Sequence, residues 1–307
     1  MKKTGSIMGT RTIKISDDLY LIMLLPPIPG FNDFIGSWLY KGEITYLVDV
    51  GPAVTSGGLA EALKELGVYH LDYIFITHIH IDHAGGIGDF INHFPETQVV
   101  CHKSGISHLA DPERLWEGSV KTLGDIAVAY EKMKPVHSEL LVDAENFSSD
   151  HITPIITPGH SPHHVSYLTG KYLFAGETGG VLFSFPSGDY LRPATPPKFY
   201  LDIAIKSLDT LIDVKPYFIC YGHFGIKENA VELLLRHRKQ IFFWEKVIIE
   251  EMVNYDKEDF IENCIKRLIA EDINMAGFDS LNKNMQNREL DFIKNSIKGF
   301  AGHIQRK

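Results

Sequence analysis

Three histidines and an aspartate follow directly on an apolar segment of the chain, within six residues. The apolar segment Leu71–Ile76 predicts a buried strand, and the side chains after it are His78, His80, Asp82 and His83. Imidazole nitrogens and carboxylate oxygens are ligands that a borderline-soft divalent cation prefers. A solvated polar turn is the competing interpretation, but such turns seldom separate a buried strand from the Gly-Gly start of a helix. The pattern therefore predicts a metal site at the carboxyl end of a strand.

Further side chains of ligand type also come just after predicted strands. They are His160 after residues 152–157, Glu177 after residues 172–174 and His223 after residues 217–220. A strand end is where the backbone leaves the sheet and exposes functional side chains, so the recurrence of this placement supports a metal site over a chance cluster.

Strand and helix patterns alternate through most of the chain, which predicts the α/β fold class. After several apolar strands, a helix is predicted at Gly58–Leu66 and a short one near Gly86–Phe94. The stretch Asp111–Lys134 has a helical pattern that we expect to break at Gly118 and Gly124.

Two later segments differ in character from this alternation. Four prolines in Phe183–Phe199 predict a long ordered loop, because proline is poorly tolerated in helices and central strands. Past Gly225 the pattern is helical, with predicted helices at Glu228–Asn254, Glu258–Glu271 and about Asn287–Lys298. We therefore expect a catalytic domain over residues 1–226 and a helical C-terminal subdomain over residues 227–307.

The charge, the cysteine content and the length of the apolar runs exclude several kinds of binding partner and metal site for this chain. The chain has 39 acidic and 30 basic residues and a formal net charge of −9, which argues against nucleic acid as the main partner. Its cysteines Cys101, Cys220 and Cys264 form no CxxC pair, so no thiolate zinc site is indicated. No apolar run reaches the ~18–20 residues of a spanning helix. We expect a cytoplasmic protein without a membrane partner.

The motif HxHxDH, followed in order by His, an acid and His, resembles the metallo-β-lactamase superfamily. The resemblance covers roughly Ile13 to Gly225 and implies a four-layer αβ/βα sandwich with a dinuclear metal site, here carrying a helical C-terminal extension. By match, His78, His80 and His160 bind one metal ion, Asp82, His83 and His223 bind a second, and Glu177 bridges the two. The bridging acid is Asp in most of the family, so the longer Glu177 leaves open whether it bridges both ions or binds one.

The resemblance implies a metal-dependent hydrolase that cleaves a small ester, thioester or lactone with a metal-bridged hydroxide. Zinc is the first choice for the two divalent ions, and iron or manganese are alternatives. Asp82 would take up or relay the proton. Asp49 resembles the acid that orients a ligand histidine in the family, and the competing interpretation is a strand-end acid that caps a turn.

Specificity is expected from the loops around this site. Phe31 and Phe34 offer apolar surface to a small-molecule substrate, and Tyr190 and Arg192 could bind its carboxylate or carbonyl. The C-terminal helices either border the pocket, where Arg236, Arg238 or Lys239 would reach the substrate, or simply pack on the sandwich or on a second subunit. Packing on a second subunit would make the protein a homo-oligomer, and this alternative stays open.

Two other functions compete with hydrolysis. His78, His160 and Glu177 would form a two-histidine, one-carboxylate triad, as in a mononuclear iron dioxygenase of the persulfide-dioxygenase type. A non-catalytic metal-binding protein is the third possibility, although the complete ligand set argues against it.

Overall fold

The computed structural model describes residues 3–7, 9–254 and 259–306. The chain forms two units: residues 1–156 with 163–170, and residues 157–162 with 171–307. Strands and helices occur in both, and the last part of the chain is helical, so the predicted α/β class with a helical C-terminal region is confirmed. The predicted division between residues 226 and 227 stays a prediction.

The first unit contains one sheet whose eight strands lie in chain order. Its strands are β1 Lys3–Ile7, β2 Thr10–Lys14, β3 Leu19–Leu24, β4 Ile35–Lys41, β5 Thr45–Val48, β6 Tyr73–Phe75, β7 Gln98–Cys101 and β8 Leu141–Asp143. Strands β1 to β5 pair antiparallel, whereas β5 to β8 pair parallel. The parallel strands are short and almost wholly apolar, as expected for strands covered on both faces. Because β5 and β6 run in the same direction, their carboxyl ends meet at one edge.

Helices connect the parallel strands of this unit. They are α1 Ser56–Glu65, α2 Ile81–Ala84, α3 Ile87–Phe90, α4 Lys103–Ala110, α5 Glu113–Leu123 and α6 Asp125–Tyr130. Helix α1 confirms the prediction at Gly58–Leu66 and buries Leu59 and Leu63 on one face. Two more strands of this unit, β9 Thr153–Ile156 and β10 Val165–Thr169, pair antiparallel.

The predicted break at Gly118 is wrong, whereas the one at Gly124 is confirmed. Helix α5 runs through Gly118 without interruption. A single glycine lowers the stability of a helix by about 1 kcal/mol relative to alanine. The helical turns on either side of Gly118 offset this loss. Gly124 ends the helix because its φ of +56° is not helical.

The second unit contains a strand group and a separate hairpin. Its strands are β11 Tyr172–Gly176, β12 Val181–Phe185, β13 Gly188–Arg192, β14 Phe218–Tyr221 and β15 Ile226–Glu228. Strands β11 and β14 pair parallel, and β15 pairs antiparallel with β14. The hairpin of β12 and β13 corrects the loop predicted over Phe183–Phe199. Pro186 lies in its turn and the other prolines follow β13, so no proline removes a hydrogen bond from the ladder.

Four helices complete the second unit: α7 Leu201–Asp213, α8 Ala230–Asn254, α9 Phe260–Glu271 and α10 Lys283–Gln305. The sequence analysis placed no helix at α7, and the predicted start of α9 at Glu258 lies outside the described residues. Helix α8 packs against the other three helices and buries Leu234, Trp244 and Ile248. Within the described ranges, no helix has both the length and the apolar character needed to cross a membrane.

Candidate metal centre

Asp49 occupies the position directly after β5 and is buried in the first unit. Its backbone has a φ of +59°, a conformation that asparagine and aspartate tolerate better than most residues. Its carboxylate accepts two hydrogen bonds from Thr77, which follows β6: one from the backbone N–H at 2.8 Å and one from the hydroxyl at 2.7 Å. Asp49 therefore joins the ends of two neighbouring parallel strands.

The same carboxylate orients a predicted metal ligand. Nδ1 of His83 lies 2.8 Å from Oδ2 of Asp49, and both side chains are almost fully buried. A hydrogen bond from Nδ1 to the carboxylate leaves Nε2 of His83 as the atom that can bind a metal ion. Oδ2 of Asp82 lies 3.8 Å from this Nε2. Such a hydrogen bond is what an orienting residue would form, and the role of Asp49 beside a metal ligand stays a prediction.

The other two histidines of the motif lie against each other in the same unit. Nε2 of His78 is 3.0 Å from Nδ1 of His80, and the ring centroids of His78 and His83 are 4.1 Å apart. His164 stacks on His78 with ring centroids 5.2 Å apart, and Nδ1 of His163 accepts a hydrogen bond from the N–H of Ile79. The motif thus places its nitrogen donors close together, with two further histidines supporting them.

In the second unit, Glu177 lies between two histidines. Its Oε2 is 2.6 Å from Nε2 of His160, and its Oε1 is 3.3 Å from Nε2 of His223. Glu177 follows β11 and His223 follows β14, and these parallel strands end together, with the N–H of Gly222 donating to the carbonyl of Gly176. Each oxygen of the carboxylate therefore has its own imidazole partner.

The hydrogen bond of His160 shows what must lie between it and Glu177. Nδ1 of His160 lies 2.8 Å from the carbonyl oxygen of Ala194, to which it must donate its hydrogen. A neutral ring would therefore present a lone pair at Nε2 to a carboxylate oxygen only 2.6 Å away. Two lone pairs at this distance repel, so either a proton on Nε2 or a metal ion lies between them.

The electrostatics of Glu177 agree with a cationic neighbourhood. Burial alone would raise the pKa of this carboxyl, but the charges of His160 and His223 and their hydrogen bonds outweigh burial and hold the pKa well below its usual range. Glu177 is therefore an anion, as a metal ligand must be.

The four side chains expected to contact substrate are all buried in packing contacts. Phe31 and Phe34 pack edge to face with ring centroids 5.5 Å apart, and Phe31 also meets Tyr130. In the second unit, Tyr190 donates a hydrogen bond to Glu289 at 2.9 Å, and Arg192 forms a buried ion pair with the same carboxylate. Their roles in binding substrate stay predictions.

The basic residues of α8 are also engaged within the second unit. Arg236 pairs with Asp189 at 2.9 Å, and Arg238 pairs with Asp209 at 2.7 Å. Lys239 is exposed. Ion pairs between such partly exposed side chains contribute little to stability.

One polar residue of α8 was missed by the sequence analysis. His237 is buried and lines a cavity that His160 and Glu177 also line. The spacing of His237 along the helix could have identified it. His237 lies on the same helix face as Leu234, Ile241 and Trp244, and a polar imidazole is unusual on such an apolar face. Helix α8 therefore borders this cavity, and contact between the C-terminal helices and a substrate stays a prediction.

Comparison with known proteins gives one consistent result. The model of the metallo-beta-lactamase superfamily matches residues 33–223. A metallo-beta-lactamase fold-containing protein of Sulfurisphaera tokodaii is 27% identical over 266 residues, which are 83% of this chain and 94% of that protein. A hydroxyacylglutathione hydrolase of Yersinia pestis is 30% identical over 202 residues, 66% of each. The crystal structure of an archaeal metallo-beta-lactamase superfamily protein from Sulfolobus tokodaii has a TM-score of 0.66 at 22% identity and covers 94% of this chain and 99% of its own.

Proposed function

The chain belongs to the metallo-β-lactamase superfamily, a superfamily of metal-dependent hydrolases, and we propose that it hydrolyses a small ester, thioester or lactone with two divalent metal ions. Membership confirms the resemblance that the motif HxHxDH and the three later ligand-type residues indicated. Zinc is the ion that we propose first, because the donor set is made of imidazole nitrogens and carboxylate oxygens.

The observation that carries this proposal is the pair formed by His160 and Glu177. The hydrogen bond from His160 to Ala194 fixes the tautomer, and Nε2 of His160 then opposes Oε2 of Glu177 at 2.6 Å. Such a buried arrangement needs a proton or a metal ion between the two atoms. A divalent metal ion meets this need and suits both donor types.

We assign the ligands by the two oxygens of Glu177. Oε2 faces His160, and by match to the family motif these two residues would share one ion with His78 and His80. Oε1 faces His223, which by the same match would hold the second ion with Asp82 and His83. One carboxylate oxygen beside each of the two histidines supports the proposal that Glu177 would serve both ions, in the place where aspartate is usual.

Two such ions supply the central chemistry: they lower the pKa of water toward ~7 from 15.7 and polarise the scissile carbonyl. The residues of the chain do the rest. Asp49 holds His83 with its Nε2 directed away from the carboxylate, and Ala194 does the same for His160. Asp82, half-buried and 3.8 Å from His83, accepts the proton released from the attacking water and passes it to the leaving group.

The proposal is tested by a substrate panel. The full-length protein, loaded with zinc, should hydrolyse at least one ester, thioester or lactone, and treatment with a chelator should abolish turnover until zinc is restored. Glu177→Gln should be inactive, while His137→Gln, which removes an exposed imidazole far along the chain from the motif, should match the wild type. A single iron per chain with oxygen consumption on persulfides would overturn the proposal in favour of the dioxygenase. No turnover on any of these substrates, with metal bound, would favour a non-catalytic protein.

The relatives favour hydrolysis at an acyl carbon. The Yersinia pestis relative is named a hydrolase of hydroxyacylglutathione, which is consistent with the thioester arm of the panel. From the composition we also propose a cytoplasmic location and a small-molecule substrate without a nucleic-acid partner. A homo-oligomeric state is proposed from exposed apolar side chains of α8, among them Leu235, Phe242 and Ile249.

A further inference from the structure

The cavity in the second unit is lined by both polar and apolar residues. Among the described residues, none of those that line it is a lysine or an arginine. The residues that matter for its chemistry are His160, Glu177, Thr195, Phe199, His237 and Ile241. Two of them are the proposed metal ligands, so a group that occupies this cavity lies beside the reaction centre. His237 and Thr195 have no part in the chemistry described so far.

The tautomer of His237 follows from the hydrogen bonds of Gln240. Nε2 of Gln240 donates to the carbonyl of Leu191 at 2.6 Å and to Asp272 at 2.7 Å, which uses both of its hydrogens and fixes the orientation of the amide. Oε1 of Gln240 can only accept, and it lies 3.2 Å from Nδ1 of His237. Nδ1 of His237 therefore carries the hydrogen, and Nε2 carries a lone pair.

The ring of His237 is neutral and held in place. Burial lowers its pKa to about 4, against the smaller opposing effect of the hydrogen bond with Gln240. A β-carbon added to Gly180 would lie 2.9 Å from the ring, so the backbone of Gly180 packs directly on it. Within the described part of the chain, Nδ1 is the ring atom that has a hydrogen-bond partner. Nε2 is thus a fixed, uncharged acceptor in a residue that lines the cavity.

Thr195 supplies a second polar group. It lines the same cavity, its side chain is more than nine-tenths buried, and its hydroxyl has no hydrogen-bond partner among the described residues. An unpaired buried hydroxyl costs about 1–3 kcal/mol, which a ligand can recover. A hydroxyl both donates and accepts, so Thr195 and His237 together present one donor and up to two acceptors.

We propose that His237 Nε2 and Thr195 Oγ1 form a specificity site for an uncharged hydroxyl group of the substrate. This inference rests on the proposed function, because it places the hydroxyl on the substrate of that hydrolase. A hydroxyl donates to Nε2 of His237 and accepts from Thr195, which satisfies both. A carboxylate does not fit, because it cannot donate, the imidazole is neutral, and no lysine or arginine lines the cavity in the described structure.

Matched substrate pairs test the proposal with the metal-loaded full-length enzyme. The 2-hydroxyacyl and 3-hydroxyacyl thioesters are each compared with the analogue that lacks the hydroxyl. For at least one pair, the wild type should favour the hydroxylated substrate about tenfold in kcat/KM, the effect of one well-formed hydrogen bond. His237→Phe and Thr195→Val should each reduce that ratio to within about threefold of one, while His137→Gln keeps the wild-type ratio. A wild-type ratio near one for both pairs, or a tenfold ratio that survives in both variants, overturns the proposal.

A second readout does not depend on turnover. Nitrogen NMR of the zinc-loaded protein with labelled histidines identifies His237 by the resonances that His237→Phe removes. We expect Nδ1 with a hydrogen and Nε2 without one. A non-hydrolysable hydroxyacyl amide should shift the Nε2 resonance, whereas its analogue without the hydroxyl should not. A protonated Nε2, or equal shifts with both compounds, overturns the proposal. If no ester, thioester or lactone is hydrolysed but the selective shift occurs, the proposed function fails while the hydroxyl site stands.

Discussion

His83 and Asp49 form a buried hydrogen bond, with Nδ1 of the imidazole 2.8 Å from Oδ2 of the carboxylate. Asp49 also accepts two hydrogen bonds from Thr77, so one carboxylate ties the ends of β5 and β6 to helix α2. The orientation of His83 is therefore built into the sheet edge. A metal ion held by His83, as proposed above, would depend on a residue that does not itself touch the ion.

Replacing Asp49 by asparagine should weaken metal binding by about 10–100-fold without unfolding the protein. The amide keeps the shape of the side chain, but it is a poorer acceptor for Nδ1 of His83 and for Thr77. Competition with a coloured chelator measures the affinity. The exposed Asp17→Asn serves as the matched control and should bind metal as the wild type does. Equal affinities for Asp49→Asn and the wild type would mean that Asp49 only caps a turn.

Replacing Glu177 by glutamine should weaken both metal binding and the metal-free fold. Metal affinity should fall at least about 100-fold, because an anionic ligand is lost. The metal-free variant should be less stable than the metal-free wild type, because the amide lacks the negative charge that His160 and His223 stabilise on the carboxylate. Elemental analysis after dialysis and urea unfolding in chelator measure the two effects. A metal-free variant as stable as the metal-free wild type would contradict the ion pairs assigned to Glu177.

Arg192→Ala should destabilise the fold by about 3–5 kcal/mol, because it leaves the buried carboxylate of Glu289 short of a partner. Tyr190→Phe removes one hydrogen bond from the same carboxylate and should cost about 1–3 kcal/mol. Urea unfolding measures both losses, and KM is measured in parallel at a temperature where the variants are folded. A raised KM for acidic substrates with unchanged stability would instead support the role in substrate binding expected from the sequence.

His237 should make the stability of the protein depend on pH. Its pKa is lowered from 6.5 in the unfolded chain to about 4 in the folded one, so between these values the unfolded chain binds the extra proton. The stabilising contribution is complete above about pH 6.5 and is lost as the pH falls toward 4, with about 2 kcal/mol gone at pH 5. Urea unfolding from pH 8 to pH 5 should show this loss in the wild type and not in His237→Phe. The same loss in both proteins would place the titrating group elsewhere.

The sequence was most informative where the candidate metal ligands lie close together along the chain. The motif from His78 to His83 could be placed after a strand because the apolar segment before it is continuous and its ligand spacing is local. Glu177 and His223 were also found as strand-end residues, and their proximity then followed from the parallel pairing of β11 and β14. Strand pairing of this kind turns two separate sequence positions into neighbours, which the periodicity of either strand alone does not reveal.

Other features depend on contacts that no local pattern encodes. The prolines around Phe185 suggested a loop, but Pro186 falls at the two-residue turn of a hairpin, where the missing N–H is not needed. Arg192 was predicted to bind a carboxylate or carbonyl of the substrate, and no local pattern indicates that it forms a buried ion pair with Glu289, almost one hundred residues later in the chain. His237 could be read as a basic residue of a surface helix, and only the orientation of Gln240 reveals it as a neutral acceptor.

Metal titration of the purified full-length protein tests the central claim most directly. The chelator-treated chain should bind about two divalent ions per molecule, and hydrolysis of its best ester, thioester or lactone should return in step with binding. Turnover by the chelated protein at the full rate, with no metal bound, would contradict the account.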